Sequence, residues 1–159
     1  SAAEIINNFS NEFSYEIEML THIEYQYINE LKRDVYVNTD INRLNQILVN
    51  IFTNARKYTS AGKITLKTSK HDNFLVFTIS DTGRGISDDL KGKIFKQKYL
   101  HRDKNTQGTG IGLYITYKLC KLISAEIEYD SVINKGTNFR VKLPIIENTQ
   151  IEINNPEAI

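Results

Sequence analysis

The sequence predicts an α+β fold: a two-layer α/β sandwich, with about three helices on one face of a mixed, mostly antiparallel sheet. Three observations lead there. Apolar residues recur at helical spacing between Ile41 and Ala55. Two segments rich in β-branched and aromatic residues fold back across turn signals, at 63–80 and again at 125–144. A second helical run lies between them, and no internal repeat is visible. Helix, hairpin, helices and hairpin in that order suit helices packed on a sheet better than alternating parallel units.

Taken in order, residues 1–21 mix Ile5, Ile6, Phe9, Phe13 and Ile17 with polar residues in no firm period. They read as a lead-in that offers at most a helix. "HIEYQYINEL" (22–31) has strand character, and "DVYVN" (34–38) is a candidate second short strand. Asp40 suits the N-cap of the next helix. Ile41, Leu44, Ile47, Leu48, Ile51, Phe52 and Ala55 form its apolar side, and it is expected to end at 57–59 before the turn "SAG". "KITLKTSK" and "FLVFTIS", joined by "HDN", read as a β-hairpin. After "DTGRGI" (81–86) a short helix is expected from Asp88 to Phe95. Residues 96–107 are polar and aperiodic, hence a loop. From Gly108 to Ile123 a glycine-rich turn feeds a helix that is apolar nearly all round and is expected to be buried. "AEIEYDS" and "TNFRVKLP" close the sheet through a turn at "NKG". The expected domain is 22–144, with 145–159 as a tail or linker.

The bulk properties narrow the field. A chain of 159 residues can bury a real core. Its 20 basic and 19 acidic residues nearly cancel, so no net field favours nucleic acid or an anionic membrane, and no nucleic-acid partner is expected. No apolar run approaches the roughly 18 residues that suggest a membrane span, and no secretory leader is expected. A single cysteine, Cys120, excludes an internal disulfide and fits a reducing compartment such as the cytoplasm. Its apolar helical surroundings read as core packing.

Three stretches carry chemistry, and each has a plain alternative. Asn50, Asn54 and Lys57 follow at spacings of four and three, which puts them on one side of a helix. Amide oxygens are hard neutral ligands suited to Mg²⁺ beside a nucleotide's phosphates, and lysine adds a point charge for phosphate. They can equally be solvated positions. Asp81 ends an apolar strand and is followed by Gly83 and Gly85. A carboxylate there can accept from an exocyclic amine while the glycines let the backbone come close; a plain Asp-Gly turn is the alternative. Gly108, Gly110 and Gly112 precede a helix whose free N–H groups can hold an anion, or they merely make a tight loop. A Rossmann reading lacks a preceding strand. "HRD" (101–103) fails as a protein-kinase loop because Gly108 stands where asparagine is required.

In combination these stretches resemble the ATP-binding catalytic domain of sensor histidine kinases, a branch of the Bergerat-fold ATPase superfamily that includes gyrase, the heat-shock chaperone and the mismatch-repair ATPases. "RLNQILVNIFTNARKYT" looks like the N box, "DTGRGI" and "GTGIGL" like the two glycine boxes, and "NKGTNFRVKLP" like the closing third glycine segment. "IFKQKYLHRD" resembles the phenylalanine box and ATP lid. The resemblance covers about residues 22–144.

The resemblance implies ATP and Mg²⁺ as cofactors. Asn54 would coordinate the metal and Asn50 would assist, through water. Where hydrolytic relatives carry a glutamate base, this chain has Asn50, which cannot take a proton; transfer is therefore favoured over hydrolysis. Lys57 would contact phosphate, Tyr58 would pack on the adenine and Asp81 would accept from its amine. Gly83, Gly85, Ile86 and Thr137 would complete the nucleotide pocket. Gly108, Thr109, Gly110, Gly112 and Leu113 would hold the phosphates, and Arg102 or Lys104 would reach the γ-phosphate. The acceptor histidine would lie on a separate dimerisation and histidine-phosphotransfer domain, because none of His22, His71 and His101 has the acceptor pattern. A response regulator would follow downstream, and the isolated domain is expected to be monomeric. Lys98 departs from the family pattern, since the second aromatic of the phenylalanine box usually stands there. It motivates a second hypothesis, a degenerate module that binds nucleotide without transfer. An anti-sigma-type serine kinase, which shares the fold, is a third.

Overall fold

A computed structural model describes residues 1–7, 9, 22–96 and 111–146. Residues 2–7 are helical. The elements that follow are β1 (Ile23–Asn29), α1 (Ile41–Tyr58), β2 (Gly62–His71), β3 (Phe74–Asp81), α2 (Gly112–Leu122), β4 (Glu126–Val132) and β5 (Gly136–Pro144). One five-stranded sheet has the order β1-β2-β3-β5-β4. Only β1 and β2 run parallel; the other three pairings are antiparallel. This is the expected α+β sandwich with a mixed, mostly antiparallel sheet.

The alternation of each strand decides which face is buried. Ile64 and Leu66 of β2, Leu75, Phe77 and Ile79 of β3, and Phe139, Val141 and Leu143 of β5 point to one side. There they meet Leu44, Ile47, Leu48, Ile51, Phe52 and Ala55 of α1, with Leu119 and Cys120 of α2. Phe52 takes Phe9 and Tyr25 edge-on, with ring centroids 5.9 and 5.5 Å away. Truncating a ring in that position costs about 3–5 kcal/mol. Ala2, Ile5 and Ile6 join the same core. Cys120 is buried among these groups, and burial pushes its thiol up to about 12, so it is packing and not a nucleophile.

The opposite face carries cross-strand ion pairs: Glu24 with Lys63, Glu30 with Lys67, and Glu128 with Arg140 and Lys142. Such exposed pairs add little stability, but they keep that face in water and the helices on the other.

Three expectations need correction. Asp88–Phe95 is a run of turns and not a helix. Gly92 at φ 73 breaks it, and the amides of Lys93 and Lys96 reach back only three residues. "DVYVN" forms no strand: among the described residues it makes one isolated bridge, between Val37 and Ile145, beyond the end of β5, too little pairing to extend into a ladder. Helix α2 is buried along one side only, through Thr116, Leu119 and Cys120, while Ile115 and Leu122 face outward. An apolar run marks a helix but does not by itself say that a second layer covers it. Among the described residues no helix is long and apolar enough to cross a membrane.

Asp40 caps α1 as expected, its Oδ1 accepting from the amides of Asn42 and Arg43 at 3.0 and 3.1 Å. Asp40→Ala should lower stability by about 1 kcal/mol, read as a lower urea midpoint with unchanged slope. An unmoved midpoint would remove the cap from the account of why α1 starts there.

Candidate functional site

Helix α1 is the shared wall of the site. It is 18 residues long, and Asn50 and Asn54 sit one turn apart on it, with Lys57 three residues further. Asn50 faces α2: its Nδ2 donates to the hydroxyl of Thr116, which in turn donates to the carbonyl of Gly112 at 3.0 Å. Asn54 is half-buried, and among the described residues its Nδ2 is buried with no hydrogen-bond partner. Lys57 is exposed, with Nζ 5.1 Å from the centre of the Tyr58 ring. The Arg84 guanidinium lies 4.4 Å from the same centre, within cation–π range.

Asp81 closes β3 in register with Thr137 of β5. Its Oδ1 accepts from the amide of Gly83 at 2.8 Å. Burial pushes its carboxyl above the ordinary value of 3.8, and the amides of Gly83 and Thr137 pull it partly back. The following loop is tied on two sides. The amide of Arg84 donates to the Tyr58 carbonyl at 3.1 Å, which anchors the loop to the end of α1. The amide of Ile86 donates to Ser131 Oγ, and the amide of Asn134 donates to the Arg84 carbonyl, both at 2.8 Å. Gly85 at φ 68 and Gly136 at φ 113 make this possible: a side chain on either would run into the carbonyl oxygen of Val132 or Asp81. Thr137 is buried, its hydroxyl 2.9 Å from Ser131 Oγ.

The third wall is the start of α2. Ile111 supplies no side-chain cap, and the first helical bond there is from the amide of Ile115. The amides of Gly112, Leu113 and Tyr114 therefore have no carbonyl partner within the helix, and the helix dipole adds partial positive charge.

The structure thus gathers Asn50, Asn54, Lys57, Tyr58, Asp81, Gly83, Gly85, Ile86, Gly112, Leu113 and Thr137 around the C-terminal half of α1. Arg102, Gly108, Thr109 and Gly110, with Lys98 and Lys104, lie outside the described residues. Two contributors escape a motif reading, Thr116 and Ser131; a third, Thr59, ends the N-box stretch without a role of its own there, and its hydroxyl is buried at the end of α1 without a partner among the described residues. Thr116 leaves one trace in the sequence, as a polar residue on the side of an apolar helix that otherwise buries Leu119, Cys120 and Ile123.

Comparisons with known proteins agree with this fold. The family described as histidine kinase-, DNA gyrase B-, and HSP90-like ATPase matches residues 39–147. The chain is 29% identical over 147 residues to the sensor histidine kinase RppB of Synechocystis sp., covering 89% of this chain and 32% of that protein. It superposes with a TM-score of 0.76 on the catalytic domain of the histidine kinase ThkA, at 26% identity, covering 90% of this chain and 93% of that one. Full-length ShkA in complex with AMPPNP gives the same TM-score at 25% identity, over 91% of this chain and 30% of that one. The chain spans about a third or less of the length of the curated relatives it matches.

The raised carboxyl of Asp81 has a consequence for stability. A carboxyl whose folded value lies above its unfolded value contributes stability that is fully present below the unfolded value and is lost as pH rises through the folded one. Asp81→Asn removes that loss. Its unfolding midpoint should match the parent below the ordinary value of 3.8 and exceed it at neutral pH. A variant less stable than the parent at neutral pH would contradict the desolvation of Asp81.

Proposed function

The chain belongs to the histidine kinase-, DNA gyrase B-, and HSP90-like ATPase family and is an ATP-binding catalytic domain of the sensor histidine kinase type; on that premise we propose that it passes the γ-phosphoryl group of Mg²⁺-bound ATP to a histidine on a separate dimerisation domain. The observation that carries the site assignment is the convergence of Asn50 and Asn54, Asp81 and the uncapped α2 entrance on one helix. In this reading the acceptor histidine belongs to the same kinase, a response regulator takes the phosphoryl group next, and the domain works on the cytoplasmic side of a membrane or in the cytoplasm.

Asp81 accepts a hydrogen bond from the adenine amine, and Gly83, Gly85, Ile86 and Thr137 shape the pocket around the base. Tyr58 flanks it, its ring held by Arg84. Lys57 and the amides of Gly112 and Leu113 face the phosphates, together with Gly108, Thr109 and Gly110, and with Arg102 at the γ-phosphate. The residues present fit a divalent cation: Asn54 is half-buried and, among the described residues, no hydrogen bond holds its Nδ2, so its amide is free to turn its oxygen into the site, and an amide oxygen beside phosphate suits Mg²⁺. Asn54 would hold the ion, with Asn50 assisting through water. Bound there, Mg²⁺ neutralises charge on the phosphates.

The transfer is a displacement at phosphorus. The lone pair of the imidazole nitrogen forms the new N–P bond as the bond from the γ-phosphorus to the β–γ bridging oxygen breaks, and ADP leaves. The chain's own work is positioning, which is most of what phosphoryl transfer demands. Asn50 also withholds a function: a neutral amide takes no proton from water, so hydrolysis has no general base at that position.

Mixing the chain with the dimerisation domain and γ-labelled ATP tests the proposal. Acid-labile label on a histidine is expected. ATP binding with no label transferred would favour the degenerate module, and acid-stable label on serine the serine kinase. Asp81→Asn should weaken ATP binding by about 1–3 kcal/mol in calorimetry; an unchanged affinity would take Asp81 out of the pocket.

A further inference from the structure

We infer that Thr116 is a positioning residue for Asn50, fixing which end of its amide faces the start of α2. The inference deepens the proposed function and rests on it. Thr116 is 1% exposed on the inner side of α2. Its hydroxyl hydrogen goes to the Gly112 carbonyl at 3.0 Å, one turn back on the same helix. Its oxygen then keeps lone pairs to accept from Asn50 Nδ2. An asparagine amide has donors at one end and an acceptor at the other, so holding Nδ2 decides where Oδ1 goes. Oδ1 packs against Gly112: a β-carbon built on that residue would lie 2.7 Å from it. The glycine supplies room and the threonine supplies orientation. Together they hold a neutral acceptor at the helix entrance, where the amides of Gly112 and Leu113 have no partner within the helix.

Threonine is a poor choice for helix propensity alone, and valine would fill the same volume. Valine offers neither donor nor acceptor. It would leave Nδ2 unpaired and the amide free to turn its nitrogen toward the side where the metal's water shell is proposed. A merely structural threonine would matter to folding and to all nucleotide binding alike. A positioning threonine would matter to the part of binding that Mg²⁺ adds.

The test compares the parent chain, Thr116→Val and Thr116→Ser by calorimetry with ATP, with and without Mg²⁺, alongside urea unfolding. Thr116→Val should reduce the affinity gain due to Mg²⁺ by about 3–10-fold, the worth of one neutral hydrogen bond, and leave Mg²⁺-free binding nearly unchanged. Thr116→Ser, which keeps the hydroxyl, should retain the parent's gain. A Thr116→Val chain with an intact Mg²⁺ gain, or one that loses both modes of binding equally, overturns the inference. Should that variant not fold, the parent chain decides: the Asn50 side-chain amide protons should exchange slowly with water by NMR, and fast exchange overturns it. A parent chain that binds no ATP contradicts the proposed function itself, whereas binding whose Mg²⁺ gain ignores Thr116→Val contradicts this inference alone.

Discussion

The loop leaving β3 passes between the end of α1 and the turn of the closing hairpin, so close that backbone touches backbone on both sides. The amide of Arg84 reaches the Tyr58 carbonyl, and the Arg84 carbonyl takes the amide of Asn134. Gly136 lies directly against the Asp81 carbonyl. Much of the site follows from that constraint. It fixes where the Asp81 carboxylate points, and it brings the last turn of α1, with Asn54, Lys57 and Tyr58, beside it. A β-carbon at Gly85 or Gly136 would run into the Val132 or Asp81 carbonyl and push these segments apart, at Gly136 within the sheet itself, where β5 begins beside the end of β3. The core and the site differ in what they ask of the sequence. The core needs apolar residues at alternating and helical spacing; the site needs small residues at two bends.

The sheet gives that loop a rigid base. Its helix-facing side is packed with Leu75, Phe77 and Ile79 from β3 and Phe139, Val141 and Leu143 from β5. Its other side is an ion-pair surface that asks for no partner layer. Asp81 sits where this base ends, half-buried and only partly compensated by two backbone amides. Leaving a carboxyl there costs the free protein stability, a pattern expected of binding sites. The start of α2 and the amide nitrogen of Asn54 are of the same kind: polar groups without a side-chain partner among the described residues, gathered on one side of α1.

Much of this was legible in the sequence because periodicity and capping are local signals. The apolar spacing from Ile41 to Ala55 gave α1 almost to the residue, Asp40 marked its start, and the two hairpins followed from alternation and turn residues. The membership of Asn50, Asn54, Asp81 and Thr137 in one cluster was readable only because several motifs occur in order; their proximity depends on sheet register, which links Asp81 to Thr137 across 56 positions (137 − 81). Less local facts were missed. Gly92 breaks a helix that the flanking residues favour. The outward side of α2 is as apolar in Ile115 and Leu122 as its inward side. Thr116 matters through a hydrogen bond to a residue 66 positions away; a polar residue on the inner side of an apolar helix is its one trace in the sequence, and it does not name the partner.

The central claim is that nucleotide binds at the meeting of α1, the β3 exit loop and the start of α2. Titrating AMPPNP with Mg²⁺ into the ¹⁵N-labelled chain tests it most directly. The account predicts saturable shifts in the amides of Asn50, Asn54, Asp81, Gly83, Gly85, Gly112 and Leu113, while those of Glu128, Arg140 and Lys142 on the open sheet face stay in place. Shifts concentrated on that open face, or none at any concentration, would contradict it.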